Sequence, residues 1–304
     1  MIDLNVVNET NTLKAVLLGI ANNNGPVPLS LECYDPNSLY HVNEGSYPVE
    51  SKMIEEISSL EAVFMNYGVE IYRPEILSNY NQIFARDIAF VVDDKIIKSN
   101  TLPERAKEFS AIKGVLNKIS SENIIELPDD CHIEGGDVIL HNDYIFIGVY
   151  NGPDYSNLKT ARTNYFAVEV LKTIFPLKKI KALELKKSNI NPKENALHLD
   201  CCFQPIGRGK ALIHKQAFLN QSDYNFLKKF FGTENLFQIN KDEMASMYCN
   251  IFSISENVII SDKRFERLNN WLTENGFFVE SISFKEVSKL GGLFRCSTMP
   301  LKRS

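Results

Sequence analysis

Short apolar runs and amphipathic stretches alternate along this chain in a unit that recurs about five times. Each unit is predicted to hold two short strands, an amphipathic helix and a third strand. The second and third units match most closely, because each places a turn of two polar residues, Asp93-Asp94 or Asn142-Asp143, between two apolar runs. Such turns are typical of β-hairpins. The repetition predicts one supersecondary module that is used several times.

The first unit shows the pattern in most detail. Apolar residues recur at three- and four-residue intervals between positions 49 and 67, which predicts a helix with one buried face. These residues are Met53, Ile57, Leu60, Val63 and Phe64. Strands are predicted on either side, over 13–19 and 69–72. Helices in the later units are predicted over 103–119, 164–175, 222–231 and 263–275. The loop over 22–47 is long enough to indicate a functional role.

Five similar units in one chain imply a closed ring. The predicted fold class is therefore α/β, a five-bladed β/α propeller of strand-strand-helix-strand modules with pseudo-fivefold symmetry. We expect a single catalytic domain over 1–304, with approximate modules 1–80, 81–130, 131–190, 191–243 and 244–304. Residues at the start of each first strand would then converge on the central axis.

Composition places the chain among soluble globular proteins. It has 304 residues, of which 44% are hydrophobic and 23% charged, and a formal net charge of -5. No stretch approaches the length of apolar sequence that spans a membrane, and the first residues lack the pattern of a signal peptide. We expect a cytoplasmic protein without a membrane partner.

The cysteines and the charge distribution exclude several functional classes. The 6 cysteines show no C-x-x-C spacing, so neither a disulfide framework nor a zinc site is indicated. Mild acidity without a concentrated basic stripe disfavours nucleic acid as a partner. A small cationic substrate suits this composition better.

Polar and ionisable residues stand directly before the first predicted strand in the later units. The clusters are Arg86-Asp87, His132-x-Glu134-Gly135-Gly136-Asp137, His198-x-Asp200 and Met247-x-x-Asn250. A single polar residue at a strand end is ordinary, but clusters in register indicate a shared site. Glu134 and Asp87 would point two carboxylates at one axis. Such a pair can hold a planar guanidinium by bidentate hydrogen bonds, or it can ligate a metal.

His198 and Asp200 are predicted to share one face of a strand, because side chains alternate with a period of two. A carboxylate beside the imidazole raises the pKa of the histidine into the range useful for acid and base catalysis. Arg162 precedes a predicted helix, with Asn164 as its N-cap, and could grip a substrate carboxylate. The other histidines, His41, His132, His141 and His214, are interpreted as structural.

Cys296 lies near the carboxyl terminus beside Gly291 and Gly292, and Arg295 precedes it. Nearby positive charge and backbone N–H groups lower the pKa of a thiol and expose the nucleophilic thiolate. Taken alone, a buried and inert cysteine is the commoner interpretation. Together with paired carboxylates and a histidine, the cysteine indicates chemistry on a guanidinium, whose charge must be shared before a thiolate can attack its carbon.

These motifs, in this order, resemble the guanidine-modifying enzymes of the pentein fold, which include arginine deiminase, dimethylarginine dimethylaminohydrolase and the arginine amidinotransferases. The matching motifs are Arg86-Asp87, His132-x-Glu134-Gly135-Gly136-Asp137, Arg162-Thr163-Asn164, His198-x-Asp200, Asn250 and Gly291-Gly292-x-x-Arg295-Cys296-x-x-Met299-Pro300-x-x-Arg303. The resemblance covers almost the whole chain.

The resemblance implies that Cys296 is the nucleophile and forms a covalent amidino-thioether intermediate. It implies that His198 protonates the departing amine and then deprotonates the incoming water or amine. Glu134 and Asp87 would hold the guanidinium nitrogens, and Asp200 would assist there or orient His198. The implied substrate-binding residues are Arg86, Arg162, Asn250 and Arg295, with Arg162 on the carboxylate of the substrate.

The acceptor of the amidino group stays open between water and an amine. The runs 134–137 and 295–300 resemble the hydrolases, so we expect hydrolysis of L-arginine or an arginine derivative. The stretches through Gly19, over 47–74 and over 198–212 resemble the amidinotransferases, which makes transfer to an amine the alternative. A catalytically inactive pentein that acts as a binding protein and a metal-dependent hydrolase are weaker alternatives. We expect a small guanidino substrate, no cofactor and no metal, and a homodimer remains open.

Overall fold

A computed structural model describes residues 1–152 and 157–304 of the protein. Within these residues the strands form five three-stranded sheets. In each sheet the central strand runs antiparallel to one neighbour and parallel to the other. The chain is therefore a mixed α/β protein, and its five small sheets fit the five predicted modules.

The first sheet consists of β1 (Leu13–Leu18), β2 (Glu70–Tyr72) and the last strand of the chain, β15 (Thr298–Arg303). The other sheets follow one another along the sequence. They are β3 (Ala89–Val92), β4 (Lys95–Lys98) and β5 (Ile124–Ile125); β6 (Val138–His141), β7 (Tyr144–Val149) and β8 (Lys179–Glu184); β9 (Phe203–Pro205), β10 (Ala211–Ile213) and β11 (Leu236–Gln238); and β12 (Phe252–Ser253), β13 (Val258–Asp262) and β14 (Phe278–Ile282).

The two predicted hairpins are confirmed. Strands β3 and β4 pair antiparallel, as do β6 and β7. The first residue of each turn, Asp93 or Asn142, has a positive φ of 53° or 56°. Asp and Asn tolerate this left-handed conformation better than other non-glycine residues, which explains their place in the turns.

The last strand belongs to the sheet of the first unit. The approximate bounds 244–304 assign β15 to the fifth unit, but β15 pairs antiparallel with β1. The first unit supplies only two strands of its own to this sheet, and the carboxyl-terminal strand completes it. Residues at least 280 positions apart are thereby joined, such as Leu18 and Thr298.

The helices are α1 (Pro36–Asn43), α2 (Glu50–Asn66), α3 (Ala85–Ile88), α4 (Lys113–Leu116), α5 (Tyr165–Ile174), α6 (Gln221–Phe231), α7 (Lys241–Ala245), α8 (Glu266–Glu274) and α9 (Lys285–Ser288). Helices α2, α5, α6 and α8 confirm four of the predicted helices. The predicted N-cap of α5 is also confirmed, because the Asn164 side chain accepts a hydrogen bond from the Ala167 N–H.

Two predicted segments differ from the structure. The helix predicted over 103–119 is broken into 3₁₀ turns at Pro103–Arg105 and Glu108–Ile112 and the single turn of α4. Arg105 ends the first of these 3₁₀ turns and Glu108 begins the second, and Arg105 Nε lies 2.7 Å from Glu108 Oε1. The loop predicted over 22–47 contains α1 and a 3₁₀ turn at Ser30–Glu32.

Strand β1 is buried on both faces. Val16 and Leu18 belong to one cluster of buried apolar side chains, and Ala15 and Leu17 belong to another. This split follows from the alternation of side chains along a strand. Among the described residues, no helix has the length and apolar character needed to cross a membrane.

Replacement of Leu301 by Ala in β15 is expected to lower the free energy of unfolding by about 3 kcal/mol, since the change leaves a cavity in a packed core. Leu301 is fully buried, whereas Leu177 is 93% exposed. The matched control, Leu177→Ala, is expected to change stability by less than about 0.5 kcal/mol. Chemical denaturation of both variants measures the difference. Equal effects would contradict the structural importance of β15.

Candidate active site

Polar residues that precede the first strand of each sheet come together in one site. In the described part of the chain, Cys296 precedes β15, Asp87 precedes β3, Glu134 precedes β6, His198 and Asp200 precede β9, and Asn250 precedes β12. Short helical turns position several of them, because α3 and the 3₁₀ turns Gly135–Asp137 and Leu199–Cys201 lead directly towards the strands. The convergence expected from the repeat is therefore observed.

Asn250 holds the loop that carries the cysteine. Its Oδ1 accepts hydrogen bonds from the N–H groups of Leu293 and Cys296, both at 3.0 Å. Its Nδ2 lies 3.1 Å from the Cys296 sulfur. Gly292 is required beside this loop, because a Cβ there would lie 2.4 Å from the Phe84 ring and 2.9 Å from the Cys296 Cβ. The amide of Asn250 thus fixes both the main chain and the thiol.

The thiol of Cys296 lies in a buried and negatively charged environment. Only 2% of the residue is exposed, and its sulfur is 3.6 Å from Asp200 Oδ2. Burial raises the pKa of this thiol well above the usual value, the carboxylates of Asp200 and Asp87 raise it further, and Arg295 opposes them. The thiol is therefore protonated at neutral pH.

Arg295 lowers the thiol pKa, as the sequence had indicated, but burial and the aspartates outweigh it, and its guanidinium is bound to other groups. Arg295 Nη1 donates to Asp200 at 2.8 Å, and Nε and Nη2 donate to Glu9 at 3.3 and 2.9 Å. Nη2 also donates to the Val138 carbonyl at 2.8 Å. The positive charge of Arg295 is therefore balanced by Glu9 and Asp200, and its bond to Asp200 holds that carboxylate beside the thiol.

His198 is the N-cap residue of the 3₁₀ turn Leu199–Cys201, and Asp200 lies within that turn, which corrects the expectation that the two side chains share a strand face. Its partners are instead Glu134 and Asp87. Nε2 hydrogen-bonds Glu134 Oε2 at 2.8 Å, and Nδ1 lies 3.7 Å from Asp87 Oδ1. Burial lowers the pKa of His198, but the carboxylates outweigh it and the net pKa is raised. The imidazole is thus suited to carry a proton near neutrality.

Glu134 links His198 to Arg162. Its Oε2 accepts from Arg162 Nη1 at 2.9 Å as well as meeting the imidazole. Burial raises the pKa of Glu134, but Arg162 and His198 hold it well below its usual range, so the group is a carboxylate. Arg162 also donates to the carbonyls of Tyr34 and Lys159. All three nitrogen positions of this guanidinium are engaged.

Arg105 binds Asp87 and was not singled out as a site residue from the sequence. Its Nη1 lies 2.5 Å from Asp87 Oδ2, and its Nε lies 2.7 Å from Glu108 Oε1. Burial raises the pKa of Glu108 to about 7 despite the neighbouring Arg105. The Arg-x-x-Glu spacing after Pro103 was the available sign in the sequence, but it fits an ordinary helix start equally well.

Arg86 supports the main chain of the site. Its N–H donates to the Cys296 carbonyl at 3.0 Å, and its Nε lies 3.4 Å from the Arg295 carbonyl. Burial and the neighbouring Arg295 lower the pKa of Arg86 to about 9. Its Nη2 has no hydrogen-bond partner within residues 1–152 and 157–304.

Two further polar atoms of the site, Asp87 Oδ1 and His198 Nδ1, are left without a hydrogen-bond partner among the described residues. A Cβ at Gly136 would lie 2.9 Å from the first atom and 2.6 Å from the second. Buried polar atoms without a partner are costly and uncommon. A ligand that offers N–H groups to Asp87 would remove this cost.

The residues Asp87, Glu134 and His198 could also ligate a metal, since one donor atom from each lies within 4.8 Å of the others. Arg105 and Arg162 already bind the two carboxylates at 2.5 and 2.9 Å. These guanidinium groups supply the positive charge that a metal would bring.

Asp137 and Lys187 position the histidine through its main chain. Asp137 Oδ1 accepts from the Leu199 N–H at 2.9 Å. Lys187 Nζ donates to the carbonyls of Ala196 and Leu197 at 2.9 and 2.8 Å, directly before His198. No motif in the sequence indicated the role of Lys187, which lies in a polar connection after β8.

The 22–47 segment lies against the site and borders a cavity of about 270 Å³. Tyr34 and Asp35 line this cavity, as do Tyr47, Tyr80 and Glu104. The Tyr34 carbonyl accepts from Arg162 Nη2 at 2.8 Å. A Cβ at Gly291 would lie 3.0 Å from Asp35, and Gly291 has a φ of +80° that favours glycine. The 22–47 segment therefore contacts both Arg162 and the loop that carries Cys296.

Comparison with known proteins identifies related chains. The family model described as "N,N dimethylarginine dimethylhydrolase, eukaryotic" matches residues 42–303. Uncharacterized protein YkgA of Bacillus subtilis (strain 168) is 32% identical over 225 residues, which cover 73% of this chain and 70% of the relative.

Solved structures share the fold over nearly the full length. The inosamine-phosphate amidinotransferase StrB1 from Streptomyces griseus matches with a TM-score of 0.77 and 17% identity, covering 99% of this chain and 97% of that one. The product-bound N-terminal domain of ArgZ, an arginine dihydrolase from the ornithine-ammonia cycle in cyanobacteria, matches with a TM-score of 0.77 and 17% identity, covering 96% and 98%. At these identities the likeness concerns the fold.

Substitution of Gly136 by Ala is expected to lower stability by about 1–3 kcal/mol, because the added methyl group would overlap His198 and Asp87. The matched control is Gly114→Ala, where the nearest atom to the added Cβ is a side-chain oxygen 3.8 Å away. Thermal and chemical unfolding of both variants compare the two positions. Unchanged stability of the Gly136 variant would show that the contact between these segments is looser than described.

Proposed function

Because the chain belongs to the N,N dimethylarginine dimethylhydrolase family of the pentein guanidine-modifying superfamily, we propose that it cleaves the guanidino group of L-arginine or an arginine derivative. Cys296 attacks the guanidinium carbon, and water hydrolyses the resulting amidino-thioether. The observation that carries the proposal is a buried thiol between an amide and a carboxylate, 3.1 Å from Asn250 Nδ2 and 3.6 Å from Asp200 Oδ2.

Asp87 and Asp200 bind the substrate guanidinium in this proposal. Asp87 keeps Oδ1 free of protein donors within the described residues, and Oδ2 is held by Arg105. Asp200 is held by Arg295 next to the thiol. Two carboxylates on one planar cation share its charge through charge-assisted hydrogen bonds. Arg105 and Arg295 thus act as positioning residues, which revises the role of Arg295 implied by the resemblance.

Glu134 orients His198 instead of binding the guanidinium directly. Its 2.8 Å hydrogen bond to Nε2 fixes the imidazole and supports its protonated form. His198 Nδ1 is left towards Asp87, where the substrate nitrogens would lie. Protonated His198 therefore donates a proton to the departing amine, and neutral His198 then accepts one from water.

Binding of the guanidinium releases the Cys296 thiol proton to solvent. The thiolate then forms a C–S bond to the guanidinium carbon, and the C–N bond to the leaving nitrogen breaks as His198 donates its proton. Water adds to the same carbon and gives one proton to His198. The second proton of the water is lost to solvent as the C=O bond forms and the C–S bond breaks to release the thiolate. With L-arginine the products are citrulline and ammonia.

Arg162 remains our proposed contact for the carboxylate of an arginine-type substrate. Its guanidinium lies 5.6 Å from the centre of the Tyr34 ring, and Tyr34 lines the cavity beside the 22–47 segment. The bond from Arg162 Nη2 to the Tyr34 carbonyl is the one that a substrate carboxylate would replace.

The proposal includes a single catalytic domain in which the five sheets close into a ring. Pairing of the last strand, β15, with the first, β1, supports closure because it joins the two ends of the described chain in one sheet. Convergence of site residues from the starts of the first strands supports it further.

The decisive test is incubation of the purified protein with L-arginine, with and without glycine or other amines, followed by mass spectrometry of the products. Citrulline and ammonia are expected without any amine. Cys296→Ser is expected to lower turnover by at least about 1,000-fold because it removes the nucleophile. The matched control, Cys131→Ser, changes another fully buried thiol and should keep turnover within a few-fold.

Other products would redirect the assignment. Ornithine with a guanidinylated amine, formed only when the amine is present, would mean an amidinotransferase. No product from L-arginine or methylated arginines would favour a binding protein. Near-normal turnover by the Cys296 variant would overturn the proposed mechanism.

A bound cation is expected to convert the Cys296 thiol to a thiolate. Burial and the two aspartates raise the thiol pKa well above 9.0, so without a ligand the rate of alkylation should keep increasing with pH beyond that value. A guanidinium ion between the aspartates reverses their effect and lowers the pKa. At neutral pH, low-millimolar guanidinium should increase the alkylation rate about tenfold or more, since one pKa unit corresponds to a tenfold change in thiolate.

Mass spectrometry can follow Cys296 and Cys131 in the same sample. Alkylation of Cys131 should not respond to guanidinium, which makes it an internal control. If both cysteines respond equally, guanidinium acts on the protein as a whole and not on the site.

A further inference from the structure

A second polar cavity of about 270 Å³ lies outside the site described above. It is bordered by the segment after β8, by His214 at the end of β10 and by α7. None of the predicted catalytic residues lines it. The proposed amidino chemistry therefore gives this cavity no role.

The lining of this cavity is positively charged, although the whole chain carries a formal net charge of -5. Lys186, Lys193 and Lys241 face it, and Glu194 is the acidic residue among its lining side chains. Lys241 is paired with Glu194, and Lys193 lies 2.6 Å from Asp242. Lys186 has no ion-pair partner in the described ranges, and Glu194, which already binds Lys241, acts on it only at longer range.

His214 adds a buried polar group to the same wall. Only 4% of the residue is exposed. Its Nδ1 lies 2.7 Å from the Ile239 carbonyl, and a carbonyl can only accept, so Nδ1 carries a proton. Nε2 has no protein partner among residues 1–152 and 157–304. Burial lowers the pKa of His214, and Lys186 and Lys241 lower it further. In the neutral imidazole Nε2 therefore carries no proton. An anion in the cavity would oppose the two lysines and favour the protonated imidazole, whose Nε2–H could then donate a hydrogen bond to the anion.

We propose that this cavity is a binding site for a small multivalent oxyanion, such as a phosphate group or a tricarboxylate. Lysines at its wall repel metal cations and attract anions. The volume exceeds that of inorganic phosphate, so a phosphorylated or polycarboxylic metabolite fits the space. Lys186 and His214 are the central contacts, with Lys193 and Lys241 at the rim.

The location gives such an anion access to the histidine segment. Ala196 lines the cavity two residues before His198, and its N–H donates to the Lys186 carbonyl at 3.0 Å. Anion binding here is independent of the proposed reaction, because Lys186 and His214 lie outside the candidate active site.

The test is calorimetric titration of the full chain with inorganic phosphate and, separately, with citrate, at constant ionic strength set by sodium chloride. Saturable binding of at least one of them is expected. Lys186→Met should weaken it at least tenfold. The control, Lys172→Met, removes a half-exposed lysine of α5 that is paired with Glu169, and should leave the affinity unchanged. Circular dichroism confirms that both variants fold.

A second measurement keeps the inference testable if Lys186→Met does not fold. In the unaltered protein, the ring nitrogen resonances of His214 should shift on addition of the anion, while those of His41 should not. Binding of phosphate alone would indicate a phosphate group, and binding of citrate alone would indicate a polycarboxylate. Absence of saturable binding, equal affinity of the two lysine variants, or an unmoved His214 resonance would overturn the proposal.

Discussion

The site depends on buried ion pairs, in which each of three carboxylates is bound by a buried arginine. The pairs are Asp87 with Arg105, Glu134 with Arg162 and Asp200 with Arg295, at 2.5, 2.9 and 2.8 Å. An isolated charge in such surroundings would be neutralised or expelled. Removal of one partner from a buried pair costs about 3–5 kcal/mol because the other charge is left uncompensated. The arginines therefore make it feasible to keep ionised carboxylates next to a thiol.

In these pairs the arginine binds the carboxylate while the carboxylate also faces a group of the proposed chemistry. Asp87 uses Oδ2 for Arg105 and leaves Oδ1 towards His198. Glu134 places one oxygen between Arg162 and His198. The remaining negative potential disfavours a thiolate and favours a cation. In the proposed function, the substrate itself thus creates the charge balance that activates Cys296, so that the nucleophile is formed only when a guanidinium is present.

Much of this arrangement could be predicted from the sequence because it depends on local pattern. Hairpin turns at Asp93 and Asn142 and the amphipathic helix α2 follow from residues close together in the chain. The position of the candidate site could also be predicted from the sequence, because its polar residues recur before the first strand of the units. What could not be predicted depends on distant contacts. Pairing of β15 with β1 joins the two ends of the sequence, and no local pattern specifies it.

The supporting arginines illustrate the same limit at the level of single residues. Arg105 resembles any charged residue at a helix start until Asp87, 18 positions earlier, is placed against it. The side-chain period of two predicts that His198 and Asp200 share one strand face, but His198 caps a 3₁₀ turn that contains Asp200. The two side chains therefore take different partners, Glu134 for the histidine and Arg295 for the aspartate.

The 22–47 segment connects access to the site with its internal charge balance. The Tyr34 carbonyl binds Arg162, and Arg162 binds the same Glu134 oxygen that meets His198. Movement of Tyr34 away from the site would free Nη2 of Arg162 and so weaken the positioning of Arg162 against Glu134. A substrate carboxylate that replaces the Tyr34 carbonyl would restore that positioning. Within the proposed function, binding of the far end of the substrate therefore acts on the proton-carrying histidine through two consecutive contacts, which links recognition of an arginine-type substrate to the chemistry at its guanidinium.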